Sequence, residues 1–466
     1  MTGSIASNTL LVFFAKLITS FLIFLTGILI AKNFGPSGVG TYDLFIAIVN
    51  FSMVLGSLGI GIASIYLLNK KKEDAARLFF HILCIGSIWG FALAGLTFLL
   101  FSSFSFLPKE FPQRYVLFAA ITIPFVLLQN YLLPFLLAKF RMYQWSFFSI
   151  FYAGFTAVLA FSALKVFSAG MDAVVFAVTV SSVVTAFLLA FSVFRLTSLR
   201  VSFKKALFTQ QLRVGLTSYL GDIFQVASFK LNLFFVGIFL NIAQVGYYSL
   251  ALNIANVFLI IPYAFQQVLY SSWSLLEERD VDRNTPAMAR QTFLVALGAA
   301  VFIFFLGKYV VVNVLYGKDF SSSVLPLAIL LPGAVCMVFA NVFFNNFFSR
   351  GKAYITTLIL LVVSFINIAL NFFLIPSFGI QGAAVSVSFS YFLAAIFALL
   401  WFSKISGFSL ANILAFQAAD FATLITQFWR FSGLGFLRGT RIGVPLKRKI
   451  KVCFVASADI SLKFLL

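Results

Sequence analysis

The chain has 466 residues, of which 62% are hydrophobic and only 10% charged, with a formal net charge of +20 and a mean hydropathy of +1.06. Soluble domains carry roughly a quarter of their residues as charges, so this composition excludes a soluble protein with a single anchor and predicts an all-α polytopic membrane protein. Three cysteines (Cys84, Cys336 and Cys453) and the lone His81 stand at no metal-ligand spacing, so no metal centre, cofactor or histidine-based catalytic site is expected.

Apolar runs of about 20 residues, the length that crosses a bilayer, predict twelve spans. Span one, residues 9–31, carries Lys16; it is too long for a cleavable signal peptide and has no small-residue cleavage site behind it. A glycine-punctuated turn, Asn33-Phe34-Gly35-Pro36-Ser37-Gly38-Val39-Gly40, leads into span two, residues 41–68, with Asp43 at its start. Spans three to six cover 80–101, 115–137, 145–167 and 173–194, with His81 read as an interfacial residue and Pro124 and Pro134 as kink sites. Span seven, residues 215–240, is interrupted by polar residues. Ser218, Asp222, Gln225 and Asn232 follow three- and four-residue spacing and share one helical face. Lys230 stands eight residues after Asp222, about 12 Å along the axis and about 80° round it, too far to pair within a straight helix. Spans eight to twelve cover 245–273, 292–313, 324–348, 354–376 and 383–402. Asn253 with Asn256, Asn341 with Asn345, and Asn367 with Asn371 recur there at helical spacing, as bonds between helices or as ligand contacts.

Two patterns organise these spans. Val39-Gly40-Thr41-Tyr42-Asp43-Leu44 through Asn50 recurs as Val245-Gly246-Tyr247-Tyr248-Ser249-Leu250 through Asn256, an offset of about 206 residues, which is half a chain. Duplication on that scale points to transport by two equivalent bundles, residues 1–200 and 201–403, followed by a cytoplasmic tail, 404–466. Lysine and arginine cluster in loops after even-numbered spans (Lys70, Lys71, Lys72, Arg77; Lys139, Arg141; Arg195, Arg200, Lys204, Lys205, Arg213; Arg279, Arg283, Arg290; Arg350, Lys352) and thin out after odd-numbered ones. The positive-inside rule then places both termini in the cytoplasm of a multi-pass cytoplasmic-membrane protein. The basic face is expected to meet acidic membrane lipids, and no soluble basic module exists to bind nucleic acid.

Four ionisable residues fall at membrane depth: Lys16, Asp43, Asp222 and Lys230. A charge at the bilayer centre costs roughly 2.5–3.5 kcal/mol on the insertion scale, so such residues tend to face a wet cavity or a partner. Spans one and seven each carry a lysine, which places one cation from each bundle at a shared cavity. The alternatives are that the span-seven stripe packs against another helix and that Asp43 caps the start of its own.

The turn motifs carry a resemblance. Ala31-Lys32-Asn33-Phe34-Gly35-Pro36 with Gly38-Val39-Gly40-Thr41-Tyr42, Gly56-Ser57-Leu58-Gly59-Ile60-Gly61 and Val245-Gly246-Tyr247-Tyr248-Ser249-Leu250-Ala251 come in order. They are followed by Ile261-Pro262, Gly351-Lys352, Asn367-Ile368-Ala369-Leu370-Asn371 with Ile375-Pro376, and Gly379-Ile380-Gln381-Gly382-Ala383-Ala384. Over about residues 5–402 the chain resembles the polysaccharide-biosynthesis flippases of the multidrug/oligosaccharidyl-lipid/polysaccharide exporter superfamily. The resemblance implies two six-helix bundles arranged as a V. It also implies a flippase for an undecaprenyl-pyrophosphate-linked oligosaccharide, as in O-antigen assembly, with polysaccharide polymerase and assembly proteins as partners. Lys16, Lys230, Asp222, Gln225, Asn232 and Asn253 are the substrate-binding candidates. Where that family often has an acid shortly after the span-seven basic residue, this chain has Asn232, which leaves Asp222, and then Asp43, as ion-coupling candidates.

Competing classes are a MATE-like drug/cation antiporter, a nonspecific lipid scramblase and a membrane polysaccharide polymerase. The first should favour acidic cavity residues; the last is an enzyme and should need a substantial outer loop, which the spans do not leave. In the tail, residues 408–431 are expected to form an amphipathic surface helix. Lys447-Arg448-Lys449-Ile450-Lys451 and Val452-Cys453-Phe454-Val455-Ala456 are either an ordinary basic tail or a remnant resembling the first strand of a glycosyltransferase.

Overall fold

The computed structural model describes residues 5–69, 73–103, 107–197, 203–273, 278–417 and 420. Among them there is no strand. The helices are α1 (Ile5–Ser57), α2 (Ile60–Asn69), α3 (Ala75–Ser103), α4 (Gln113–Ala138), α5 (Met142–Phe161), α6 (Met171–Thr197), α7 (Lys205–Phe239), α8 (Ile242–Trp273), α9 (Glu278–Phe305), α10 (Val324–Ser349), α11 (Ala353–Ser406) and the short α12 (Leu410–Leu414). The apolar pattern therefore gives helix throughout. Eight helices among the described residues are long and apolar enough to cross a membrane. The basic segments at 70–72 and 198–202 and the tail beyond 420 lie outside the described residues.

Two of the helices are bent back on themselves. The 53 residues of α1 and the 54 of α11 would each reach about 80 Å if straight, far beyond a hydrocarbon core of about 30 Å. Each breaks at a glycine in the left-handed region, Gly35 (φ 63°) and Gly379 (φ 60°), where a side chain would be strained. Both sit in the same local sequence, Phe34-Gly35-Pro36-Ser37-Gly38 and Phe378-Gly379-Ile380-Gln381-Gly382. One corner has thus been used twice. Because the second arm of α1 starts at Pro36, Asp43 lies about two turns inside it and cannot cap it, contrary to one expectation from the sequence.

Contacts gather the chain into two compact units. The first comprises Met1–Ala255, Ile303–Leu331 and Leu360–Ser390. Its core packs α2, α3, α4 and α6 through Ile60, Leu78, Phe79, Ile123, Leu127, Tyr131, Phe135 and Leu189. The polar bonds that cross this core are neutral. Ser52 and Thr97 hydroxyls share a bond of 2.9 Å, as do Thr122 and Thr179; Gln129 Nε2 donates to the Ser182 carbonyl (2.8 Å) and the Tyr131 hydroxyl to the Gly56 carbonyl (2.6 Å). Such bonds supply about 0.6 kcal/mol each inside a bilayer, so they orient helices more than they hold them.

The two copies of the repeat meet within this unit. Gly40 of α1 and Gly246 of α8 occupy equivalent positions and lie against each other. A Cβ on Gly40 would strike the Ile242 carbonyl oxygen, and one on Gly246 the Pro36 carbonyl oxygen. Nearby, Glu110 accepts a hydrogen bond from the Ile242 backbone N–H at 3.0 Å, satisfying a helix-start donor with an acid. At the opposite helix ends α7 docks on α2: Gln211 Nε2 donates to Ser64 Oγ (3.1 Å), and Gly215 lies on the Leu58 carbonyl. His81, read as interfacial, is instead fully buried; its Nε2 accepts from the backbone N–H of Lys204, the residue that starts α7.

The second unit comprises Asn256–Phe302, Pro332–Ile359 and Tyr391–Leu466. One half-buried and one buried ion pair organise its described residues. Arg350 pairs with Asp282, which also accepts from Asn346 Nδ2 (3.1 Å), tying α10 to α9. Arg290, expected in a basic loop, is only 4% exposed; its guanidinium bonds both oxygens of Asp420 (2.6 and 3.2 Å) and the Asn412 and Ile413 carbonyls. Five donors in a fixed fork can fill such a nest, where a lysine could not. Phe293 against Phe416 adds an aromatic contact, so the segment after α11 is clamped to α9 rather than lying free.

Burial raises the Asp420 carboxyl, but the Arg290 hydrogen bonds, the Gln417 N–H and the Arg290 charge outweigh it and hold the group below the usual carboxylate range. A depressed folded value means that the clamp contributes fully above the unfolded value and is lost as pH falls through the folded one. Asp420→Asn or Arg290→Ala should therefore cost about 3–5 kcal/mol by leaving a buried partner unpaired. Hydrogen exchange across 407–417 is expected to rise in both variants at neutral pH, and in the parent only under acid conditions.

Candidate functional site

The candidate residues divide by depth. Counted from the corner at Gly35 with a rise of 1.5 Å per residue, Lys16 lies about 28 Å down the first arm of α1 and Asp43 about 12 Å down the second. Lys230, ten residues before the corner that follows α7, is about 15 Å down. The two lysines therefore stand at different depths, with Lys16 farther from these corners. The repeat offset of about 206 residues pairs Lys16 with Asp222, not with Lys230, whose counterpart is Phe24. At the repeat offset the acid Asp222 takes the place of the cation Lys16, so the two lysines are not repeat equivalents.

Lys16 is exposed on α1 between exposed Phe13, Phe14, Leu17 and Ile18, and forms no hydrogen bond or ion pair with a described residue. Its ammonium is available to a ligand. Asp222, Gln225 and Lys230 lie on helical backbone of α7, but their side chains are outside the described residues. Asn253 is exposed on α8.

Asp43 is half-buried, and its charge acts on the hydroxyls of Tyr42 and Tyr316. Tyr316 comes from the π-helical continuation of α9, Leu306–Tyr316, and packs against α1: its ring lies 5.9 Å from that of Phe24, with its hydroxyl over Gly27.

Among the described residues, the structure brings the candidate Asn232 into a buried amide cluster. Asn371 Nδ2 of α11 donates to Asn232 Oδ1 of α7 at 2.5 Å and to Asn367 Oδ1 at 3.2 Å. All three are at most 3% exposed, and Asn371 Oδ1 has no hydrogen-bond partner. The i, i+4 spacing of Asn367 and Asn371 was visible in sequence as possible helix glue, but their bond to Asn232 was not, because nothing in a sequence says which face of α7 meets α11. The cluster carries no formal charge, so it joins the helices without the desolvation cost of an ion pair.

Comparison with known proteins follows this geometry. Residues 5–270 match the model of a family described as polysaccharide biosynthesis protein. An uncharacterised membrane protein of Methanocaldococcus jannaschii is 28% identical over 166 residues, 35% of this chain and 33% of that protein's length. Among solved structures, the lipid II flippase MurJ in an inward closed conformation aligns over 98% of both chains at 13% identity, with a TM-score of 0.70. A multidrug resistance MATE family transporter of the MOP superfamily, inward-facing, aligns over 85% of this chain and 96% of its own at 16% identity, with a TM-score of 0.68. A MOP superfamily transporter from Pyrococcus furiosus, described as having a binding pocket of reverse polarity, aligns over 87% and 95% at 16% identity and 0.59. At these identities the likeness is one of fold: an all-helical membrane-transporter fold.

Asn371→Leu would remove the donor shared by Asn232 and Asn367 and take a hydrogen bond from each buried acceptor, at about 1–3 kcal/mol per group. The thermal midpoint of the detergent-purified protein should fall, while Asn253→Ala, at an exposed position, should leave it within the error of the measurement.

Proposed function

The chain belongs to the polysaccharide biosynthesis protein family, and from that premise we propose that it is a flippase. Its substrate is a polyprenyl-pyrophosphate-linked oligosaccharide, carried from the cytoplasmic to the outer leaflet for surface polysaccharide synthesis such as O-antigen. The family match over residues 5–270 is the observation that supports this most. The full-length likeness of fold to a lipid II flippase agrees with it.

With α1 and α11 each crossing twice and α3 to α10 once, the chain carries twelve spans in two bundles, 1–200 and 201–403. Both termini lie in the cytoplasm, as the loop charges require. A pyrophosphate is a dense anion that hydrocarbon cannot solvate, so a cationic path must replace its water while the polyprenyl tail stays in lipid. Lys16, unpartnered and toward the cytoplasmic end, receives the headgroup; Lys230, nearer mid-depth, carries it onward as the bundles rock. Asp222, Gln225, Asn232 and Asn253 supply polar contacts along α7 and α8. Coupling to an ion would use Asp222 or Asp43, since the Asn232 cluster offers no group that titrates. A polymerase acting on the delivered repeat unit is the expected partner, and the flippase itself makes and breaks no bond.

A drug/cation antiporter is the second reading, favoured by the MATE family structures of the same fold. Its substrate is a cation, for which an unpartnered lysine is a repulsive feature.

Lys16→Ala and Lys230→Ala should each abolish flipping of a pyrophosphate-linked oligosaccharide in proteoliposomes while leaving membrane insertion intact. Full activity in either variant would remove that lysine from the mechanism.

A further inference from the structure

The corners that follow α7 and that break α11 enclose an open cavity of about 480 Å³. Its polar lining comes from Asn241, Gln244, Ser322 and Gln381, with Gly379 and Ile380 forming the wall between them. The volume lies within the roughly 300–1,000 Å³ of small-molecule sites. Among the described residues, no ionisable side chain lines it, although the chain as a whole is strongly basic.

The lining side chains are available. Among the described residues, those of Gln244, Ser322 and Gln381 make no hydrogen bond. Asn241 uses its Oδ1 to accept from the Gln244 backbone N–H at 3.0 Å, which leaves its NH₂ group. Three primary amides and a hydroxyl thus offer both donors and acceptors to whatever enters. Gln381 Oε1 lies 3.6 Å from where a Cβ of residue 379 would stand, so the glycine that makes the corner also leaves room for the amide.

The glutamines are not required by the corners themselves. The N-terminal corner has Gly38 at the place of Gln244 by the repeat offset, and Ser37 at the place of Gln381 by the match of Phe34-Gly35 to Phe378-Gly379. That corner folds without an amide. Gln244 and Gln381 are therefore additions to a shared corner, made where two of the corners face one cavity.

We infer that this cavity is a binding site for the neutral sugar rings of the transported oligosaccharide on the outer side of the membrane. Sugar hydroxyls are dense, uncharged donors and acceptors, and side-chain amides satisfy both roles, while the absence of lysine and arginine makes the site a poor one for pyrophosphate. The sugar end would thus be held apart from the cationic path that carries the phosphates. This rests on the flippase reading for the source of the sugar, but not for the binding itself.

The test uses the purified full chain in nanodiscs, with Cys84, Cys336 and Cys453 replaced by alanine and Ser322→Cys as the reporter. Labelling of that cysteine by a hydrophilic maleimide is timed with maltose, lactose, N,N′-diacetylchitobiose or sodium pyrophosphate. For a Kd of about 1 mM, about 10 mM of a recognised disaccharide should slow labelling about tenfold. Pyrophosphate should have no effect, and Gln244→Ala with Gln381→Ala should abolish the protection at an unchanged thermal midpoint. If that pair fails to fold, Gln244→Ser with Gln381→Ser is read in the same way. Labelling unaffected by every sugar, protection by pyrophosphate alone, or protection that survives the double substitution would overturn the site. Flipping by the parent is scored separately: flipping without sugar protection removes the cavity alone, and sugar protection without flipping removes the flippase reading alone.

Discussion

The contact on which the first unit depends is the one between Gly40 and Gly246. Two backbones meet there with no side chain between them, at equivalent positions of a duplicated sequence. Close approach of this kind is how helices associate where lipid is as apolar as any side chain, since packing and short-range contacts replace a hydrophobic driving force. It fixes the start of α8 against the second arm of α1. The Glu110 bond to Ile242 and the Tyr316 packing over Gly27 then have a fixed frame to form on. The corner at Gly35 serves the same end, because it brings the chain back at the depth where Gly40 must meet its counterpart.

Charge is distributed to suit an apolar solvent. The bonds that cross the core of the first unit are hydroxyl or amide bonds, and the buried cluster at Asn232, Asn367 and Asn371 is neutral. Among the described residues, the buried Arg290–Asp420 pair and the half-buried Arg350–Asp282 pair lie in the second unit, where they fasten α9 to the segment after α11 and to α10. Lys16, which has no partner among the described residues, departs from this economy. A cation left without a protein partner at membrane depth is costly unless water or a ligand answers it, and so it carries the proposal of an anionic headgroup.

Much of the fold was legible in the sequence because membrane depth imposes a length on apolar runs and a glycine on each tight corner. The helical class, the turn at Gly35 and the half-chain repeat all follow from that. What was not legible depended on which faces meet. Arg290 looked like one more loop cation, since its partner Asp420 lies 130 residues away. His81 looked interfacial from its place at a span edge, yet the Lys204 backbone N–H bonds its ring and the Phe203 ring packs on it. Asn367 and Asn371 announced a polar face without saying that Asn232 would meet it. Each half has a lysine in its first span, but the repeat aligns Lys16 with Asp222 and Lys230 with Phe24. The side chains of Asp222, Gln225 and Lys230 lie outside the described residues, so their part in the site rests on sequence.

The central claim is that the cargo is an anionic lipid-linked sugar and not an organic cation. The direct measurement is transport by the unaltered chain in proteoliposomes, comparing a polyprenyl-pyrophosphate-linked oligosaccharide with an organic cation such as ethidium under the same ion gradients. Translocation of the lipid-linked sugar without movement of the cation is the predicted result. Efflux of the cation with no flipping of the lipid-linked sugar would contradict it and place the chain with the drug antiporters of the same fold.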